Sequence, residues 1–212
     1  MDSDFWIKKW QQGDTRFHQA KFHPALEKYS QRFSAGKILV PLCGKSLDML
    51  YLASQGHLVI GVELSIIACR DFFKENEISF TEKAVEDFTV FESDKVTLWC
   101  GDFFKLPEHV WHEVSGIYDR AALVALPEEM RRRYAAEIVK HRKDSFGILL
   151  ISFEYPKDTI EGPPFSVTEE EIKRIFGPLD VQKLQSETET KYTKDHPKLK
   201  SIDLTETVFW LV

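Results

Sequence analysis

Residues 37–63 read KILVPLCGKSLDMLYLASQGHLVIGVE, two short apolar runs separated by a glycine-containing turn and an amphipathic stretch. Ile38, Leu39 and Val40 make a run too short for a helix and bounded by a turn, which predicts a buried strand. Leu42-Cys43-Gly44-Lys45 predicts the tight turn, residues 46–55 a helix, and residues 58–62 a second buried strand. Strands that are apolar on both faces and joined through a helix belong to a parallel sheet with helices on both sides. In such sheets ligands settle outside the carboxyl ends of the strands, and an acid ending the second strand commonly grips a ribose hydroxyl. Glu63 occupies that position.

The alternation of strand and helix continues. Ser65 is placed to cap a helix over residues 65–76, and a short strand near Thr81 leads through an acidic connection to a third clear strand, residues 96–100, which stops at Gly101-Asp102. Gly116-Ile117-Tyr118-Asp119-Arg120 reads as a fourth strand with its exit turn. Pro127 suits the first turn of a helix whose Met130, Tyr134 and Ile138 form a core-facing stripe. Residues 146–154 predict a long apolar strand, and Thr168 with Glu171 a capping box for the helix that Gly177-Pro178 stops. The polar excursion 186–200 carries no helical pattern, so the strands beginning at Val181 and covering 204–212 are expected to pair antiparallel at one edge. Ahead of the first strand, Trp6 and Trp10 share one face of a helix, Phe17 and His18 follow Gly13, and His23-Pro24 opens a helix to about residue 33. A chain of 212 residues organised this way predicts a single α/β domain over 1–212, with residues 1–33 as a helical N-terminal extension.

Composition narrows the function. With 34 Asp and Glu against 28 Lys and Arg the net charge is -6, which opposes binding to a phosphate backbone and argues for no nucleic-acid partner. Arg131-Arg132-Arg133 is the one dense basic run; consecutive positions on a helix spread around the cylinder, and a solvated face is expected. Cys43, Cys69 and Cys100 are too few and too widely spaced for a disulfide framework or a zinc cluster, which points to reduced thiols in the cytoplasm. Nothing approaches 18 consecutive apolar residues, and the N-terminus lacks the apolar segment of a secretory signal, so no membrane association is expected. His109 and His112 have no third ligand at motif spacing, so no metal is assigned. Without an amphipathic heptad a monomer is the default.

The first turn also limits the ligand. A phosphate-gripping G-x-x-x-x-G-K-[ST] loop would need glycine where Leu39 stands, and the G-x-G-x-x-G of a dinucleotide-binding oxidoreductase is missing because Gly44 is alone. A ligand with a ribose and no pyrophosphate fits, and S-adenosyl-L-methionine has that chemistry: Glu63 for the ribose, hydrogen-bonding groups near Gly44 for the amino-acid tail. Asp102, followed by Phe103 and Phe104, offers a carboxylate for an adenine amino group beside an apolar wall. Asp119-Arg120 stands at the next strand exit, so that three strand ends converge on one crevice.

The segments LVPLCGKSLDMLYLASQGHLVIGVELS, CGDFFKLP, YDRAALVALPEEMRRRYA and EGPPFSV, with the N-terminal FWIKKWQQGDTRFH, resemble the thiopurine S-methyltransferase family, which has close bacterial members. The resemblance covers nearly the whole chain. It implies a seven-stranded class I methyltransferase fold that moves a methyl group from S-adenosyl-L-methionine to a thiol on an aromatic or heterocyclic ring, leaving S-adenosyl-L-homocysteine. It further implies that Leu42, Glu63, Asp102, Phe103 and Arg120 contact the cofactor, together with the N-terminal stretch from Trp6 to Phe17, best matched at Trp10. Phe17 and Arg120 would also meet the substrate. Some members use an arginine in the last loop; this chain offers only Lys191, Lys194, His196, Lys198 or Lys200 there. An aromatic thiol arrives largely as thiolate near neutral pH, so no catalytic base is assigned, and Arg120, permanently charged, would orient the anion. The N-terminal aromatics would then act as a lid over the sulfonium. Methylation of small soft anions such as halide, thiocyanate or selenium and tellurium oxyanions is the second reading, and a non-catalytic S-adenosylmethionine-binding module the third.

Overall fold

The computed structural model describes residues 3–143, 146–156, 159, 161–192 and 201–212. In chain order the elements are α1 (Ser3–Gln11), α2 (Pro24–Tyr29), β1 (Lys37–Pro41), α3 (Asp48–Ser54), β2 (Leu58–Glu63), α4 (Ile66–Glu75), β3 (Thr81–Val85), β4 (Phe88–Glu92), β5 (Val96–Cys100), α5 (Glu108–Trp111), β6 (Val114–Arg120), α6 (Glu128–Lys140), β7 (Gly147–Glu154), α7 (Glu169–Ile175), β8 (Val181–Tyr192) and β9 (Ser201–Leu211). They fall into two compact units. The first runs through Tyr118 and takes in the start of β7 at Gly147; the second begins at Asp119 and comprises α6, β7 from Ile148, α7, β8 and β9.

In the first unit the strand order is β3-β4-β5-β2-β1-β6. Its centre is parallel: β1 lies between β2 and β6, and β2 pairs with β5 so that Glu63 is the partner of Cys100. Ile38, Leu39, Val59, Val62, Leu98 and Ile117 are all buried, as strands covered on both faces require. The acidic connection expected after Thr81 is corrected here. Phe88–Glu92 is a strand, antiparallel to both β3 and β5, because Phe88 and Val90 bury one face and Phe91 the other while the acids stay at the ends. This hairpin brings the strands among the described residues to nine where seven were implied.

The second unit orders its strands β7-β9-β8, both pairs antiparallel, as expected for the C-terminal edge. Strand β8 continues through Tyr192, into the stretch taken from sequence as an excursion. Its polar side chains face partners across the ladder, Ser186 to Thr207 at 3.0 Å and Thr190 to Asp203 at 2.7 Å, while Ile202 and Leu204 of β9 bury an apolar side against Tyr155 and Phe153. The basic run departs from expectation too. Arg131 is 5% exposed: its guanidinium forks onto Glu171 at 2.7 and 3.1 Å, donates to the Leu126 carbonyl at 2.7 Å and lies over the Phe165 ring, while Arg132 pairs with Glu128 at the surface. Thr168 does cap α7, accepting the Glu171 N–H, but the Glu171 carboxylate is the one Arg131 takes.

Candidate functional site: the first strand exit and the N-terminal helix

Two residues turn the chain after β1 in the left-handed region, Leu42 at φ +47° and Gly44 at φ +53°. Leu42 carries a Cβ into a conformation that costs of order 1 kcal/mol, so the surroundings must hold it. Glu63 fastens the turn two residues further on, at Gly44. It is 7% exposed at the end of β2, and its two carboxylate oxygens accept the Gly44 N–H at 2.9 Å and the Ser65 N–H at 2.8 Å. Ser65 in turn accepts the Ala68 N–H and caps α4 as its sequence predicted. One carboxylate therefore joins the turn after β1 to the start of the helix after β2. Burial raises the Glu63 pKa, and the N–H groups of Ser65, Gly44 and Leu64 oppose that rise by favouring the anion. A carboxylate has about four lone-pair sites, so these N–H bonds still leave acceptor capacity for a ribose hydroxyl.

Trp10 closes the turn from the other side. Helix α1 ends at Gln11 with Gly13 at φ +68° beyond it, and Trp10, 6% exposed, lies so close that a Cβ on Gly44 would stand 3.1 Å from its ring. Phe17 meets both Trp6 and Trp10 edge-to-face at 5.4 Å, while Phe5 continues the cluster outward against Trp6. Trp6, Trp10 and Phe17 are thus one aromatic assembly seated on the glycine turn. Both Phe5 and Phe17 remain exposed.

The next strand exit is set against Glu63 through the backbone, Gly101 N–H donating to the Glu63 carbonyl at 2.9 Å. Asp102 is exposed and accepts the Phe104 N–H at 3.0 Å, capping a short 3₁₀ turn, Phe103–Lys105. Phe103 does not present its ring there: it is 4% exposed and packs edge-on to Trp111 at 5.6 Å. The apolar wall expected from Phe103 therefore reduces to Phe104, which is half-buried. Arg120 is the last residue of β6, whose body pairs with β1, and it belongs to the second unit. Cys43 is buried under the turn and its thiol pKa stands well above the ordinary value, chiefly through desolvation and then through the charge of Glu63, which makes it a packing residue. Among the described residues no group of three or more His, Cys, Asp or Glu could hold a metal ion, and no helix is long and apolar enough to cross a membrane. The candidates Lys194, His196, Lys198 and Lys200, and the side chain of Lys191, lie outside the described residues.

What sequence reading missed is the second use of Glu63, as the clasp of its own site. Gly44 and Ser65 are remote from one another in the pattern, and only the parallel pairing of β1 and β2 brings both amides to one carboxylate.

A parallel core with a glycine turn after the first strand and an acid ending the second is the architecture of class I methyltransferases. Solved structures agree: a methyltransferase from Anabaena variabilis matches at a TM-score of 0.63 with 16% identity, covering 98% of this chain and 93% of that one. The 1,6-didemethyltoxoflavin-N1-methyltransferase of Burkholderia thailandensis matches at 0.62 with 15% identity, covering 98% and 86%. The family model of thiopurine S-methyltransferase matches residues 1–211. The thiopurine S-methyltransferase of Methylococcus capsulatus is 41% identical over all of this chain and 97% of its own length, and that of Bordetella pertussis 44% identical over 83% and 82%. The chain belongs to the thiopurine S-methyltransferase family, and it is an S-adenosyl-L-methionine-dependent S-methyltransferase.

Proposed function

We propose that the protein methylates aromatic or heterocyclic thiols, with Glu63 and the turn at Leu42 and Gly44 as the anchor of the cofactor. The observation that carries this reading is the buried Glu63 carboxylate, already hydrogen-bonded to both flanking turns and still able to accept from a ribose hydroxyl. Asp102 takes the adenine amino group on its remaining acceptor sites, with Phe103 supporting it from the core. Trp6 and Trp10 cover the sulfonium region as part of an N-terminal lid, and Phe17 at its rim faces the acceptor.

When bound, S-adenosyl-L-methionine supplies the electrophilic methyl group. The residues of the chain align, enclose and orient. Alignment of two reactants is worth roughly 7–11 kcal/mol, enough to carry a displacement that needs no proton acceptor when the thiol arrives ionised. Arg120, always charged, orients the thiolate and contributes to the cofactor site; its charge excludes a role as base. Aromatic thiols suit such a site better than alkyl thiols, whose pKa of about 8.5 leaves them protonated at neutral pH. The three cysteines of this chain, free of disulfides, suit a reducing cytoplasm, and the reading is of one methyltransferase domain working as a monomer on a small molecule.

An acceptor screen that follows S-adenosyl-L-homocysteine release tests the assignment. Thiophenols and heterocyclic thiols are expected to turn over, Glu63→Ala to weaken cofactor binding by about 10-fold or more, and Arg120→Ala to impair turnover. Turnover confined to soft inorganic anions would transfer the protein to that acceptor class; cofactor affinity and turnover unchanged in both variants would overturn the site.

A further inference from the structure

Asp119 precedes Arg120 at the end of β6 and is 1% exposed. A carboxylate withdrawn from water costs several kcal/mol unless its lone pairs are filled. Here they are filled from two sides, Oδ1 accepting the Leu123 N–H at 3.1 Å and Oδ2 the Tyr134 hydroxyl at 2.7 Å. The first bond closes the turn that follows Arg120, in which Ala121 stands at φ +63°, an unfavourable conformation for a residue with a Cβ. The second fastens that turn to the middle of α6. Side chains alternate along a strand, so the acid points inward while the half-buried Arg120 points to the opposite face.

We infer that Asp119 is a positioning residue for Arg120, clamping the left-handed turn to α6 and so fixing the direction from which the guanidinium meets the acceptor. The inference rests on the reading of Arg120 given above. It goes beyond that reading because the clamp is strongest in the ionised state of Asp119, where both of its bonds are charge-assisted. Both bonds run from donors toward the carboxylate; on protonation Oδ1 can still accept the Leu123 N–H, but the Tyr134 hydroxyl must turn from donor to acceptor and the charge-assisted bond to α6 is lost. Burial pushes the Asp119 pKa up to about 6, with the Tyr134 hydroxyl, from α6, and the Leu123 and Ala122 N–H groups, from the turn, pulling it back. Arg120 is the neighbouring charge on its own strand. Tyr134 itself is held well above the usual phenol range, by burial first and by Asp119 next, and remains a donor. As pH falls through about 6 the turn after Arg120 gives up the charge-assisted form of its clamp; Glu63, whose pKa burial also raises, is followed separately through product affinity.

The experiment measures kcat and KM for an electron-poor thiophenol, ionised throughout the range, at saturating S-adenosyl-L-methionine from about pH 5 to about pH 9. Affinity for S-adenosyl-L-homocysteine is followed in parallel by calorimetry. The wild type is expected to show an acid limb near pH 6. Tyr134→Phe removes one bond to the anion and is expected to move that limb up by roughly one pH unit, with product affinity at alkaline pH unchanged. Asp119→Asn is expected to lose the limb and about 10-fold in kcat/KM. A limb that stays in place in Tyr134→Phe overturns the inference, and that variant decides alone should Asp119→Asn fail to fold. Arg120→Ala separates the two levels: full turnover there removes the reading of Arg120 and the positioning role with it, whereas lost turnover beside an unmoved limb removes the positioning role alone.

Discussion

At Gly44 the backbone turns through φ +53°, the Glu63 carboxylate takes its N–H, and the Trp10 ring covers the face where a side chain would stand. Each constraint is local, and together they make the position intolerant of even a methyl group. Gly44→Ala is expected to lower stability by about 1–2 kcal/mol from the left-handed backbone, to displace Trp10, and to weaken cofactor binding. Urea unfolding, tryptophan emission and calorimetry with S-adenosyl-L-homocysteine read the three effects separately, and an unshifted Trp10 emission would refute the packing argument. Glu63 was legible in the sequence because strand β2 is apolar up to it. Its engagement with two backbone amides was not, since nothing in the residue order says which donors a strand-end acid will meet. Phe103 shows the converse: beside Asp102 it reads as part of a ligand wall, yet Trp111, from α5, draws its ring into the core.

Pairs of elements decided what single elements could not. The run Arg131-Arg132-Arg133 lies on a helix whatever the fold, but only the placement of α7 against α6 makes Arg131 a buried residue with Glu171 as its fork-shaped partner. Removing one member of such a pair leaves the other charge poorly solvated, whereas an isolated surface pair contributes little. Arg131→Ala is therefore expected to cost about 3 kcal/mol by urea unfolding, and Arg132→Ala, which breaks the exposed pair with Glu128, less than about 1 kcal/mol. Equal losses would show that burial of Arg131 contributes nothing. The β3–β4 hairpin carries the same lesson. Glu86, Asp87, Glu92 and Asp94 make the segment look like a solvated connection, while the alternation within Phe88–Glu92 is satisfied once β5 lies alongside.

Across the whole molecule the ionisable groups divide by burial. Exposed acids such as Glu82, Asp87 and Glu128 are held below their usual range by a basic partner, while Asp119 and Glu63 are raised, first by desolvation. For Asp119 the folded state binds its proton more tightly than the unfolded chain does. The stability this group contributes is thus full below the unfolded carboxylate pKa and is lost as pH rises through about 6. Relative to Asp119→Asn, the wild type is expected to lose roughly 2–3 kcal/mol between about pH 4 and about pH 7. Urea midpoints of both proteins at the two pH values check this, and a constant difference would refute it. The ionised clamp that serves Arg120 is in this sense held at a cost to the fold.

The order of residues by itself determined the alternation of strand and helix, the glycine turn, the acid that ends β2, and membership of a methyltransferase family, because apolar periodicity and turn chemistry act over a few residues at a time. Tertiary structure alone decided which amides Glu63 clasps, that Trp10 lies on Gly44, that Arg131 is buried, and that Asp119 reaches both the turn after Arg120 and the middle of α6. Apart from the short reaches from Glu63 to Ser65 and from Asp119 to Leu123, those contacts join residues distant in the chain, and their partners are chosen by how strands pair and helices dock.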